Sequence, residues 1–143
     1  GRELAEFAVK EGSALEKLKE IIKAQSGDDT VVLKPEKLPE AKGCMEYRAI
    51  KSGYIADIDA LAVGESAMLL GAGRTAITDT IDHSAGIFLN KLVGDCVKEG
   101  ETVMFLYYND ENKLNKAIER LTGSIIYSKV KPVKRAIIYG IHG

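Results

Sequence analysis

The chain has 143 residues, of which 45% are hydrophobic and 29% charged, and its formal net charge is −1. This length is sufficient for one compact domain with a core, and the composition is that of an ordinary globular protein. The near-zero charge argues against a nucleic-acid partner or an anionic membrane surface. No apolar run approaches the roughly 18 residues of a membrane span, and the first residues lack a secretory apolar segment, so we expect a cytoplasmic location.

The N-terminal part of the chain has a helical pattern. Residues 2–10 predict a first helix, which places the start of the chain inside a helical pattern and suggests an excised or processed piece. Ser13 and Glu16 then have the spacing of a capping box at the start of a second helix. Apolar residues continue that helix at helical spacing, and Gly27 is placed to end it with a positive φ. We therefore assign residues 1–27 to a helical segment.

A linker and the start of a C-terminal domain follow. Residues 28–43 contain two prolines among charged residues and no apolar period, which is typical of a linker. Residues 45–51 and 54–59 alternate between apolar and polar side chains and are joined by Ser52-Gly53, which predicts a β-hairpin. We assign residues 44–143 to one domain that begins with this hairpin.

The rest of that domain mixes short strands with helices. A capping residue at Asn109 or Asp110 and a stop at Gly123 delimit one helix, whose apolar residues share a face. Two glycine turns, VGD and KEGE, separate strands. The pattern predicts an α+β architecture, with a helix at 60–70 and strands at 85–89, 102–108, 124–130 and 133–141.

The segment Gly71-Ala72-Gly73-Arg74 invites comparison with a phosphate-binding loop. Such a loop needs backbone N–H groups at the start of a helix, where the helix dipole is positive. Here the glycines follow the apolar patch MLL, so they are expected at the end of a helix, where carbonyl groups point outward. A C-cap with a tight exit is the simpler interpretation, and Arg74 suits the negative helix end.

Other candidate chemistry is weak. Asp82, His83 and Ser84 include the residue types of a nucleophilic triad, but neighbours in an extended run point to opposite faces and do not converge. The two histidines and the dispersed Cys44 and Cys96 lack metal-ligand spacing, and we expect reduced, partly buried thiols in preference to the alternative of a disulfide. We therefore predict neither a metal site nor a cofactor.

Several motifs, in order, resemble the C-terminal domain of the pyrimidine-nucleoside and thymidine phosphorylases. These are RAIKSGYIADIDALAVGESAMLLGAGR, a short loop, ID, a glycine-containing apolar run and KLVGDCVKEGE. The resemblance implies an α/β-hammerhead fold of barrel-sandwich type, and the VGDCVKEGE turns agree with it. It also implies a homodimeric parent enzyme that cleaves pyrimidine nucleosides with inorganic phosphate, giving free base and pentose 1-phosphate.

The resemblance assigns no catalytic residue to this chain. The catalytic groups of such enzymes lie in an upstream portion, so we expect the present chain to be inactive alone. The implied role is mechanical: Gly71, Ala72, Gly73, Arg74 and Thr75 form a cleft-closing loop over bound substrates. The alternative is a stand-alone protein-interaction module. A lipoyl- or biotinyl-type carrier is a third class, but residues 107–112 contain no lysine at the expected hairpin tip.

Overall fold

A computed structural model describes residues 1–74, 76–133, 138 and 140. The chain divides into two compact units, residues 1–39 and 40–143. The strand predicted at 133–141 falls largely outside the described residues. Within the described part, the mixture of helices and two small antiparallel sheets confirms the α+β prediction.

The first unit is helical and contains no buried residue. Gly12 adopts φ 91° and serves both as the C-cap of one helix and as the N-cap of the next. The predicted capping box is therefore wrong: Ser13 is the first helical residue, and its hydroxyl lies 3.5 Å from the Ala8 carbonyl. The unit comprises α1 (Arg2–Glu11), α2 (Ser13–Ala24) and two 3₁₀ turns, Asp29–Val32 and Pro35–Lys37.

The end of α2 also differs from the prediction. The positive φ belongs to Ser26, at 62°, and not to Gly27. The Gly27 N–H donates to the Ile22 carbonyl at 2.9 Å, as in a Schellman-type helix end. A Cβ on Gly27 would lie 2.9 Å from Cγ2 of Ile22, so glycine is required there for space.

The second unit is built on two three-stranded antiparallel sheets, with strand orders β1-β5-β3 and β4-β2-β6. In β1, residues alternate between half-buried and exposed, as expected for a strand with one face on a core. The strands are β1 (Gly43–Arg48), β2 (Gly53–Ile58), β3 (Gly86–Leu89), β4 (Cys96–Val97), β5 (Thr102–Tyr108) and β6 (Ile125–Ser128).

The predicted hairpin between the first two strands is wrong, because β1 and β2 belong to different sheets. The segment between them bonds to a distant turn instead of folding back. The Ala49 N–H donates to the Glu101 carbonyl at 2.8 Å, and the Gly100 N–H donates to the Ala49 carbonyl at 2.8 Å. Ala49 is buried at this corner, where the chain passes from one sheet to the other.

Two helices pack on these sheets. The carboxylate of Asp59 accepts from the Ala62 N–H and begins α3 (Ala60–Ala67), which continues as a π-helical turn, Met68–Ala72. Asp110 begins α4 (Glu111–Leu121) in the same way, through the Lys113 N–H. The core side chains that are at most 1% exposed come mainly from the two helices and the sheets. They are Ile55, Ala62, Leu70, Val97, Val103, Met104, Leu106, Ala117 and Leu121.

Candidate functional site

The turn Gly71-Ala72-Gly73 that follows α3, called the glycine turn, is hydrogen-bonded and closely packed within the second unit. Gly71 is buried and adopts φ 118°, a conformation that side-chain-bearing residues rarely adopt. Its carbonyl accepts a hydrogen bond from the Asp82 N–H at 2.9 Å. The glycines thus lie at a helix C-terminus, as the preceding apolar patch predicts, and the helix dipole there does not favour an anion.

Close packing explains both glycines of the turn. A Cβ on Gly71 would lie 3.2 Å from Cβ of Asp82, closer than an ordinary contact. A Cβ on Gly73 would lie 3.1 Å from Cγ of Met68. Gly73 has φ −144°, so space and not backbone conformation favours glycine there.

The loop after the turn begins with an exposed Arg74, and Thr75 lies outside the described residues. Beyond it, Asp79 and Ala76 exchange two hydrogen bonds. The Asp79 carboxylate accepts from the Ala76 N–H at 2.8 Å, and the Asp79 N–H donates to the Ala76 carbonyl at 3.0 Å. Ile77, between them, is 95% exposed. The loop therefore presents a cation and an apolar side chain to solvent.

Asp82, Ser84 and Asn109 form a polar cluster beside the turn. The Asp82 carboxylate accepts from the Ser84 N–H at 3.0 Å, from the Ser84 hydroxyl at 2.7 Å and from the Asn109 amide at 2.6 Å. The bond from Asn109, followed by those from Ser84, lowers the pKa of Asp82 to about 2. His83 is exposed and takes no part in these bonds, so the three adjacent residues form a turn and not a catalytic relay.

A groove of about 470 Å³ opens beside the glycine turn. One wall carries Lys113 and Lys116, which lie one turn apart on α4. This groove is not predicted from the sequence, in which residues 107–112 bear only on a carrier-type hairpin tip. The available signal was the cap at Asp110, which fixes the two lysines in the first turns of one helix. The groove is lined by Met68, Leu69, Gly71, Gly73, Asp79, Thr80, Lys113 and Lys116.

Other site types find no support in the described part of the chain. Among these residues, no group of three or more histidine, cysteine, aspartate or glutamate side chains is placed to hold a metal ion. No helix in the described ranges is long and apolar enough to cross a membrane. Cys44 and Cys96 are unbonded thiols, but both are exposed and not partly buried as expected.

Comparisons with known proteins agree on one family. Residues 54–128 match the family model described as pyrimidine nucleoside phosphorylase C-terminal domain. Pyrimidine-nucleoside phosphorylases of Staphylococcus aureus strains USA300 and NCTC 8325 are each 43% identical to this chain over 118 residues, which is 82% of the chain. The match covers 27% of the length of each of these relatives.

Proposed function

Since the chain belongs to the pyrimidine nucleoside phosphorylase family as its C-terminal domain, we propose that it closes the substrate cleft of such an enzyme. The parent enzyme is a pentosyltransferase that cleaves pyrimidine nucleosides with inorganic phosphate, giving free base and pentose 1-phosphate. An upstream catalytic portion binds both substrates and carries the catalytic residues. Gly71, Ala72, Gly73, Arg74 and Thr75 form the loop that covers them, with no resident cofactor.

The anchored glycine turn is the observation that carries this proposal. A lid needs a fixed base and a tip that can meet the substrate side of the cleft. The base is supplied by Gly71, whose carbonyl accepts from the Asp82 N–H and where an added Cβ would lie 3.2 Å from Cβ of Asp82. The tip is supplied by Arg74, which is exposed directly after the turn. A guanidinium at that position complements the negative charge of phosphate, and closure of the loop over the cleft excludes water.

The described residues contain no competing catalytic arrangement. The carboxylate of Asp82 is ionised and already accepts three hydrogen bonds, so it is not a free general base. The hydroxyl of Ser84 donates to Asp82, and His83 lies apart from both. This supports catalysis by groups upstream, and the matched relatives, of which the chain spans 27%, have the length to hold them.

The proposal extends to the fold and the assembly. The two small sheets, joined at the buried corner around Ala49, are interpreted as an α/β-hammerhead of barrel-sandwich type. The upstream helices make the homodimer, which acts in the cytoplasm. The matches to phosphorylases do not favour the alternative of a stand-alone interaction module.

Reconstitution of a split enzyme tests the closure role. The chain is assayed for phosphorolysis of thymidine and uridine, alone and after mixing with the separately produced upstream portion. We expect no activity from the chain alone and restored activity on mixing. Arg74→Ala, or shortening of residues 75–80, is expected to lower kcat/KM about 10- to 100-fold, because a misplaced closing group costs this much in alignment.

Lys129→Ala serves as the matched control, since Lys129 is an exposed cation outside the glycine turn and its loop. Its kcat/KM should equal that of the unmodified chain. Activity of the chain alone would place a catalytic site within it and refute the proposal. Unchanged kcat/KM in the Arg74 and loop variants would refute the lid while leaving the family assignment intact.

A further inference from the structure

The two lysines on the wall of the groove are not explained by cleft closure alone. Lys113 and Lys116 lie three residues apart on α4 and line the same space. Each ammonium group offers three N–H donors and a full positive charge. The volume of about 470 Å³ leaves room for a small ligand.

Neither lysine is neutralised by a direct partner. In the part of the chain that the structure describes, no ion pair includes Lys113 or Lys116. The carboxylates of the neighbouring turn are committed elsewhere: Asp82 accepts from Ser84 and Asn109, and Asp79 accepts from a backbone N–H. Asp79 lines the groove together with the two lysines, but no carboxylate of the described residues lies within ion-pair distance of either.

The charge of the lysines is only partly compensated on the helix itself. Lys113 lies in the first turn of α4, where the helix dipole is positive and a cation is disfavoured, and Lys116 lies one turn further on. Asp110 and Glu111 supply negative charge at this end, and the Asp110 carboxylate, which caps the helix, interacts electrostatically with both lysines but forms no ion pair with either. An anionic ligand in the groove would complete this compensation.

The glycine turn leaves room for the first lysine. The Nζ atom of Lys113 lies 3.6 Å from the point where a Cβ on Gly71 would be. A methyl group at Gly71 would be in ordinary van der Waals contact with this ammonium group. The turn that anchors the proposed lid therefore also borders the space of Lys113, whose positive charge offsets the negative helix end at this turn.

We propose that this groove binds the phosphoryl group of a small ligand through Lys113 and Lys116. The ligand is inorganic phosphate or a pentose phosphate monoester, whose oxygens accept charge-assisted hydrogen bonds from both ammonium groups. The source of the anion rests on the proposed function, because the parent reaction consumes phosphate and forms such a monoester; the groove is a second site, separate from the upstream site at which the substrates react. The binding itself is a property of this chain and is measured without the upstream portion.

A titration of the 143-residue chain followed by ¹H–¹⁵N NMR tests the inference. Inorganic phosphate and ribose 1-phosphate are added in separate arms, with potassium chloride at matched ionic strength as the reference. We expect saturable shifts of the amide signals of Gly71, Gly73, Thr80 and the first turns of α4. Shifts with both ligands identify the phosphoryl group as the recognised part, and shifts with the monoester alone show that the pentose contributes.

The variant K113Q/K116Q removes both charges and keeps the side chains long and polar. It is expected to raise the dissociation constant at least about tenfold, the size of one lost charge-assisted hydrogen bond. The control K98Q/K129Q removes two exposed lysines that do not line the groove and should leave the constant unchanged. Absence of saturable shifts with either ligand, or equal affinity in K113Q/K116Q, would overturn the inference. A chain that restores phosphorolysis without binding phosphate retains the closure role, whereas phosphate binding without restored activity refutes the closure role alone.

Discussion

The two units use the same local devices with very different burial. Both contain a helix ended by a glycine of positive φ, Gly12 in the first unit and Gly71 in the second. Both contain an aspartate that bonds to a hydroxyl residue two positions on, Asp28 to Thr30 and Asp82 to Ser84. The difference is that no residue of the first unit is buried, whereas the second unit has a core.

This difference teaches that local sequence signals form the elements and that burial decides what they contribute to stability. The helices of the first unit leave large apolar side chains exposed, among them Leu4 at 74%, Phe7 at 61% and Leu18 at 45%. Helices of this length are marginal in water without a packing partner.

The chain offers separate optical signals for the two units. All six tyrosines lie beyond residue 39 and there is no tryptophan, so tyrosine fluorescence reports on the second unit alone. Circular dichroism at the helix band reports on both units.

Matched leucine substitutions are expected to give the largest difference. Leu121 on α4 is 0% exposed, whereas Leu18 on α2 is 45% exposed. Leu121→Ala should lower the free energy of unfolding of the second unit by about 3–4 kcal/mol, through lost burial and a new cavity. Leu18→Ala changes the same residue types in a helix but should cost less than about 1 kcal/mol and leave the tyrosine transition unchanged. Urea unfolding measures both, and equal effects would show that the first unit is as well packed as the second.

Matched glycine substitutions separate backbone strain from packing. Gly12→Ala places a side chain at φ 91° in open space, whereas Gly71→Ala places one at φ 118° and 3.2 Å from Cβ of Asp82. The left-handed conformation alone costs about 1–2 kcal/mol, and the close contact raises the cost at Gly71 to about 2–4 kcal/mol. Only Gly71→Ala should shift the tyrosine transition, while Gly12→Ala lowers the helical signal.

Gly64→Ala provides the control for this pair. Gly64 lies inside α3, has no positive φ, and a Cβ added to it would meet nothing within 4 Å. Alanine there should stabilise the second unit by about 0.5–1 kcal/mol, because glycine disfavours a helix interior. If Gly71→Ala were as harmless as Gly64→Ala, the turn would not be the fixed base that the lid requires.

Much of the second unit could be predicted because its signals are local. The strand at 102–108, the helix capped by Asp110 and the stop at Gly123 all rest on residues a few positions apart. The pairing of the two strands that flank Ser52-Gly53 could not be predicted from such local signals. Alternation predicts a strand but not its partner, and the residues of β1 and β2 pair with residues more than 40 positions away along the chain.

The candidate site likewise has one feature that local sequence predicts and others that it does not. The position of Gly71 after a helix followed from the apolar patch before it. The bond from Asn109 to Asp82 and the approach of Lys113 to Gly71 join residues that are 27 or more positions apart, and they depend on the packing of α4. No sequence pattern within either segment specifies those contacts.

The two aspartates extend the comparison to pH. The pKa of Asp82 is lowered to about 2 by Asn109 and Ser84, and that of Asp28 is lowered by Thr30 and Lys37. A lowered pKa in the folded state stabilises the fold above the ordinary aspartate pKa of about 3.9, and this contribution is lost as the pH falls through the folded-state pKa. For Asp82 the loss is therefore expected between about pH 4 and pH 2.

Asp82→Asn and Asp28→Asn test where this pH dependence is felt. Asp82→Asn should lower the urea midpoint of the tyrosine transition above pH 4, because the amide has a single acceptor oxygen, whereas the carboxylate accepts from Asn109 on one oxygen and from Ser84 on the other. The urea midpoint of this variant should approach that of the unmodified chain as the pH falls toward 2, because Asp82 of the unmodified chain then becomes protonated and loses its charge. Asp28→Asn should leave the tyrosine transition unchanged at every pH, since its bonds lie within the first unit. A pH-dependent deficit of similar size in both variants would mean that the two units unfold together, and that the contrast in burial does not separate their stabilities.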